Sequence, residues 1–173
     1  LRLGSLLQSA VDFHRHRHRI NLKLKKLRHA LGISTRDTSN YKEKQKISTI
    51  NAENYAESTK YGEVILYQIE RDLLYAEETK LLLDVHASKS KHRFLVSKYK
   101  KALSNAKHLL EVASNEQNKY ALLELYTYIA IVQGSFCFSR KQWASVLNSF
   151  SIARCALNCL YKHQEDASSS VNR

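Results

Sequence analysis

Proline and methionine are absent from the 173 residues, and glycine occurs only four times. Average usage would give roughly eight or nine prolines and a dozen glycines. Strand-built folds need turn residues every 8–12 residues or so, and long stretches here carry none. The sequence therefore predicts an all-α fold. The missing methionine, at position one as elsewhere, indicates a segment of a longer chain.

Cysteine is also scarce, with Cys137, Cys155 and Cys159 as its three occurrences and no CxxC pair. An odd number without that spacing indicates neither a disulfide framework nor a zinc site, and it favours a reducing compartment. His14 and His18 have the i,i+4 spacing of a metal-binding pair, but no nearby acid or cysteine completes a site. We expect no metal and no cofactor.

The sequence also lacks the signatures of catalysis and of membrane insertion. No Gly-rich phosphate loop, GxSxG or HExxH motif occurs, so we expect no catalytic residues and no enzyme. No run approaches the roughly 18 apolar residues of a transmembrane helix. We therefore expect no integral membrane segment.

Basic residues outnumber acidic ones, with 28 Lys and Arg against 16 Asp and Glu, which gives a formal net charge of +12 and a pI near 9.7. Residues 1–33 contain eight Lys or Arg and one acid, Asp12, whereas residues 85–110 contain seven Lys or Arg and no acid. The remainder is slightly acidic, so the basicity is local. Local basicity favours a polyanionic partner.

Apolar residues at three- and four-residue spacing predict a bundle of about five helices. The predicted helices run from Leu3 to Leu31, Asn51 to about Ala87, Phe94 to Ala113, Glu116 to Phe138 and Lys141 to His163.

Two polar segments divide the chain. We interpret residues 1–163 as one helical domain containing a polar loop over 34–50, followed by a frayed polar tail over 164–173. In the last helix, the spacing of Trp143, Ala144, Leu147, Phe150, Ala153 and Leu160 resembles one tetratricopeptide helical hairpin.

The strongest signal is the basic helix from His14 to Arg28. One side carries Phe13, Ile20, Leu24 and other apolar residues, and cations repeat on the other side about every 5.4 Å turn. Such a repeat can follow the phosphates of a nucleic acid, and the forked N–H donors of Arg suit phosphate and guanine edges. A solvated face is the alternative, but it would mix Glu with Lys. Because Arg17 lies within the apolar side, we predict that residues 14–19 project beyond the protein body.

The third helix predicts a second cationic surface, for which a simply solvated face is again the alternative. Tyr99 on the same helix is available for base stacking. The cations of this surface are Lys89, Lys91, His92, Arg93, Lys98, Lys100, Lys101 and Lys107.

Several segments in this order carry a family resemblance: the basic helix, the polar loop, Glu70-Arg71-Asp72-Leu73-Leu74-Tyr75-Ala76-Glu77, His92-Arg93-Phe94, Lys100-Lys101-Ala102 and Ala106-Lys107-His108-Leu109. From about Phe13 to Leu160 the chain resembles the N-terminal RNA-binding domain of the 68-kilodalton subunits of the eukaryotic signal recognition particle. The fungal members look nearest to it.

This resemblance implies a tetratricopeptide-like domain that binds the particle's RNA near a three-way junction. An arginine-rich helix would enter a groove and remodel the RNA, in support of co-translational targeting to the endoplasmic reticulum. It also implies a cytoplasmic particle assembled in the nucleus or nucleolus, contact with the 72-kilodalton subunit through regions outside this segment, and an indirect link to the ribosome.

Sequence and resemblance together predict thirteen RNA-binding residues on the two basic helices. They are His14, Arg15, Arg17, His18, Arg19, Lys23, Lys25, Lys26, Arg28, Lys91, Arg93, Lys98 and Lys101. A different class of function stays open at this point: a helical protein-interaction module whose basic helix docks an acidic partner or a membrane surface.

Overall fold

A computed structural model describes residues 9–33 and 49–171, with side chains to residue 163. This part of the chain forms six α-helices and no strand, which confirms the predicted all-α class. The helices are α1 (Ala10–Ala30), α2 (Ala52–Glu57), α3 (Lys60–Val85), α4 (Lys89–Val112), α5 (Lys119–Ser139) and α6 (Trp143–Val171).

Local capping residues fix both ends of α1. The Ser9 hydroxyl accepts a hydrogen bond from the Asp12 backbone N–H, and the Asp12 carboxylate accepts one from the Ser9 backbone, which forms a capping box. Gly32, at φ +65°, supplies the left-handed conformation after the last turn. The start predicted at Leu3 and most of the polar loop lie outside the described residues.

The second predicted helix is two helices, so its continuity was predicted wrongly. Ser58 adopts an extended conformation that separates α2 from α3. The break lets Tyr55 fold back over Gly62, where an added Cβ would lie 2.7 Å from the tyrosine ring. Neither proline nor glycine, the strongest turn signals, occurs at the break.

The helices pack in chain order, α1 on α3, α3 on α4, α4 on α5 and α5 on α6. Helix α1 runs antiparallel to α3, because Arg17 contacts Glu78 and Arg28 contacts Gln68. The hairpin of α3 and α4 is antiparallel as well, so α1 and α4 flank α3 and run in the same direction. The main core includes Ile20, Leu24, Val64, Ile65, Ile69, Ala102, Ala106, Leu109 and Val132.

Of the last two helices, α6 is longer than predicted, whereas α5 has about the predicted bounds and packs between its neighbours. Helix α6 continues through 164–171, the segment predicted as a polar tail. Helix α5 has the length and apolar composition that would also suit a membrane-spanning helix. It packs between α4 and α6, and its Tyr128 hydroxyl donates a 2.5 Å hydrogen bond to Glu70 on α3. Burial and the Glu70 charge raise the pKa of Tyr128, so its hydroxyl remains a donor.

Candidate nucleic-acid interface

Helix α1 presents most of its cations to solvent because its apolar side is committed to α3. Ile20 and Leu24 are buried against the core, with Phe13, Leu27 and Leu31 packed around them. The predicted binding residues that are exposed are His14, Arg15, His18, Arg19, Lys23, Lys25 and Lys26 on α1, and Arg93 and Lys101 on α4. Arg17, Arg28, Lys91 and Lys98 are half-buried.

Arg17 holds α1 on the protein body, so the prediction that residues 14–19 project from it is wrong. Its side chain is 12% exposed, and its Nε donates a 3.0 Å hydrogen bond to the Glu78 carboxylate on α3. Its Nη2 lies 2.7 Å from His14 Nδ1, and that nitrogen is 3.3 Å from Glu78. An arginine inside an apolar stripe can therefore be satisfied by a carboxylate on the facing helix, which is a pairing that the sequence did not reveal.

A chain of polar contacts crosses α3 and joins the two basic helices. Arg28 on α1 donates to Gln68 Oε1 at 3.1 Å, and Gln68 Nε2 donates to Asp72 at 3.3 Å. Lys98 on α4 donates to the other Asp72 oxygen at 3.2 Å. Gln68 and Asp72 are 2% and 0% exposed. Lys98 thus pairs with a carboxylate that would otherwise be buried without compensation, and Gln68 connects that carboxylate to Arg28.

Tyr75 marks the place where the two basic segments meet. The guanidinium of Arg17 lies 3.8 Å from the centre of its ring, and Lys98 Nζ lies 4.6 Å from the same centre. Phe94 of α4 packs edge-on against it, with ring centres 6.2 Å apart. Gln68, Asp72 and Tyr75 share one side of α3 by their helical spacing. This side of α3 forms the floor between α1 and α4, and the two cationic helices form one surface.

Arg71 belongs to this surface although the sequence did not single it out. With Asn21, Lys25, Arg28 and His29 it lines a hollow of about 260 Å³ between α1 and α3. Its buried Nε has no hydrogen-bond partner in the described part of the chain. No pattern in the sequence marks it, because the contact of α1 with Gln68, three residues before it, is made only in the fold.

Tyr99, predicted to be available for stacking, is not available. It is 4% exposed, and its hydroxyl donates a 2.5 Å hydrogen bond to Glu77. Burial, and then the charge of Glu77, raise the pKa of Tyr99, so the hydroxyl remains protonated. The exposed ring of α4 is instead Phe94, at 44% exposure.

In the described residues, no group of three or more His, Cys, Asp or Glu side chains is placed to hold a metal ion. Cys137 is buried, whereas Cys155 and Cys159 are exposed on α6. The buried residues of α6 are instead Val146, Ser149 and Ala153.

Together, the fold and this surface define the class of architecture: an all-helical domain that displays cations from two helices held on a common third helix. The family described as "RNA-binding signal recognition particle 68" matches residues 9–172. The chain therefore belongs to the SRP68 RNA-binding family, which is not a known class of enzymes.

One curated relative and one solved structure agree with this assignment. Signal recognition particle subunit SRP68 of Saccharomyces cerevisiae is 32% identical over 167 residues, covering 92% of this chain and 28% of the yeast protein. The chain thus spans little more than a quarter of that relative. The structure of the SRP68-RBD from Chaetomium thermophilum matches with a TM-score of 0.78 at 22% identity, covering 92% of this chain and 73% of that one. That likeness concerns the fold.

Proposed function

We propose that this chain binds the RNA of the signal recognition particle, near its three-way junction, through the joint surface of α1 and α4. The observation that carries the proposal is the contact of Arg17 and Lys98 with one Tyr75 ring, which unites the two basic segments. Among the described residues, Arg15, Arg19 and Lys26 of α1 have no ion-pair or hydrogen-bond partner. Their charge is therefore available to phosphates.

Helix α1 is the proposed groove-binding element. The major groove of A-form RNA is too deep and narrow for side chains to read, whereas a junction or bulge widens it. A helix that bears cations around its solvent side and is fixed along its apolar side suits such a widened groove. We infer that its insertion remodels the junction, and that the domain acts without catalysis.

The same proposal covers the wider role of the family. The longer family members would contribute to co-translational protein targeting from the cytoplasm, after particle assembly in the nucleus or nucleolus. Contact with the 72-kilodalton subunit would use parts of them that this chain does not cover, and the ribosome would be engaged indirectly.

The salt dependence of binding tests the proposal. If about six phosphates are neutralised, the logarithm of the association constant should fall against the logarithm of salt concentration with a slope near −5, at about 0.9 per contact. Titration of fluorescent junction RNA at several salt concentrations measures it. A slope near −1 would contradict a multi-cation interface. Anionic vesicles at matched salt serve as the control for the alternative of membrane-surface binding.

Arg17 should behave differently from the exposed arginines of the same helix. We expect Arg17→Ala to lower the free energy of unfolding by about 2 kcal/mol, because it removes a charged hydrogen bond and a cation–π contact. The salt slope should not change, since no phosphate contact is lost. Arg15→Ala is the matched control, with unchanged stability and a slope shallower by about 0.9.

Urea unfolding and RNA titration of both variants make the comparison. A shallower slope for Arg17→Ala at unchanged stability would show that Arg17 contacts RNA directly, as the sequence alone predicted.

A further inference from the structure

Phe94 is an aromatic side chain that lies outside the hydrophobic core and remains partly exposed to solvent. It is 44% exposed, and it is the one aromatic residue in the exposed class within the described parts of α1 to α4. By contrast, Leu95 and Tyr99 on the same helix are 5% and 4% exposed, so α4 buries its neighbouring large side chains on another face. An apolar ring kept in water loses the stabilisation that burial would supply.

The neighbours of Phe94 are cations. Lys98 Nζ lies 5.3 Å from the centre of its ring. Lys91, Phe94, Lys98 and Lys101 follow one another at three- and four-residue spacing, so they share one side of α4. Arg93 is exposed beside them. The ring therefore interrupts a row of positive charge on the surface proposed to bind RNA.

Tyr75 of α3 packs against the Phe94 ring and restricts its orientation. Tyr75 meets Phe94 edge-on, with an angle of 84° between the two ring planes. Tyr75 itself is held by Arg17 on α1 and by Lys98 on α4. A ring supported in this way loses little side-chain freedom when a flat ligand stacks on it.

We propose that Phe94 is a stacking platform for one unpaired base of the bound RNA. The inference rests on the proposed function and adds which part of the RNA the Phe94 side chain would contact. A base in a continuous A-form helix is stacked on both faces, so only an unpaired, splayed base can present a face to the ring. The exposed Arg93 and Lys101 would hold the phosphates on either side of that base. Phe94 would thereby favour junction RNA over duplex.

The test uses the whole chain and two RNAs with equal numbers of phosphates, a three-way junction with unpaired nucleotides and a fully paired duplex. Phe94→Leu should weaken junction binding about 5- to 100-fold, which corresponds to roughly 1–3 kcal/mol for one stacked base. Duplex binding should change by less than about twofold, since only phosphate contacts remain there. Phe94→Trp should retain junction binding, because tryptophan also stacks.

Phe138→Leu is a closely matched control. Phe138 is 49% exposed, packs edge-on against Trp143 and has Lys80 Nζ 5.9 Å from its ring, but it lies on α5. We expect this substitution to leave the affinity for both RNAs unchanged. Equal losses of junction affinity for the Phe138 and Phe94 variants would overturn the proposal.

A series of abasic substitutions in the unpaired nucleotides identifies the base and does not depend on the folding of any variant. One abasic position should weaken binding to the unchanged protein by the same factor as Phe94→Leu, and it should add nothing to that variant. If no position costs more than about twofold in the unchanged protein, or if Phe94→Leu weakens junction and duplex equally, Phe94 does not stack on a base. A shallow salt slope with no preference for junction RNA would instead refute the proposed function itself.

Discussion

Replacing Arg15, Arg19 and Lys26 with Ala should weaken junction-RNA binding about 100-fold at 0.15 M salt and make the salt slope shallower by about 2.7. Both figures follow from three lost phosphate contacts at about 0.9 released counterions each. The three side chains are exposed and lie on the side of α1 that faces away from α3. Alanine is a stronger helix former than the residues that it replaces, so the helical content should be unchanged.

The matched control for this variant removes the same charge elsewhere. Lys119, Arg154 and Lys162 are exposed on α5 and α6, and their replacement by Ala lowers the net charge by an equal amount. We expect a loss of only a few-fold, because these residues contribute through the long-range field alone. RNA titrations against salt, with circular dichroism of both variants, make the comparison. Equal losses would show that overall basicity, and not α1, holds the RNA.

Lys98→Met should destabilise the fold by about 3 kcal/mol, a large fraction of the 5–15 kcal/mol typical of a domain. Methionine preserves the length and the packing of the side chain, but it leaves the Asp72 carboxylate, which is 0% exposed, with Gln68 as its one side-chain donor among the described residues. A buried charge deprived of its partner is costly. Urea unfolding at neutral pH measures the effect.

Two further variants separate the structural role of Lys98 from RNA contact. Lys101→Met, on the exposed side of the same helix, should alter the unfolding free energy by less than about 0.5 kcal/mol. Adding Asp72→Asn to Lys98→Met should recover part of the lost stability, because it removes the buried charge. If Lys98→Met weakened RNA binding while leaving unfolding unchanged, Lys98 would be an RNA contact and not a partner of Asp72.

Helical periodicity was sufficient to predict the fold class and most of the helix boundaries. The scarcity of glycine and proline excluded strands, and the apolar spacing in α1 placed Ile20 and Leu24 in the core, where they are. The break at Ser58 was not predicted, because neither proline nor glycine occurs there and the apolar spacing continues across it. Thr59, the N-cap of α3, is of a residue type preferred at helix starts, but such residues also occur within helices.

Charge in the sequence identified which helices are basic but not which cations are available. The sequence does not distinguish Arg17, Arg28 and Lys98 from Arg15 and Arg19. The first three have partners that are distant along the chain: Glu78 is 61 residues from Arg17, Gln68 is 40 from Arg28 and Asp72 is 26 from Lys98. Only the packing of α3 against both helices brings these groups together. The same packing buried Tyr99 and exposed Phe94, which reversed the expectation for aromatic stacking.

The chain of hydrogen bonds from Arg28 through Gln68 and Asp72 to Lys98 limits how far α1 and α4 can move relative to each other. Because a buried carboxylate ties α1 and α4 to the same helix, the distance between them is set before any RNA arrives, and changing it would break charged contacts in the protein interior. A binding partner whose resting shape does not fit this fixed spacing must supply the distortion itself. Any strain energy in the proposed complex is therefore stored in the RNA, and RNAs with a more flexible junction should bind more tightly.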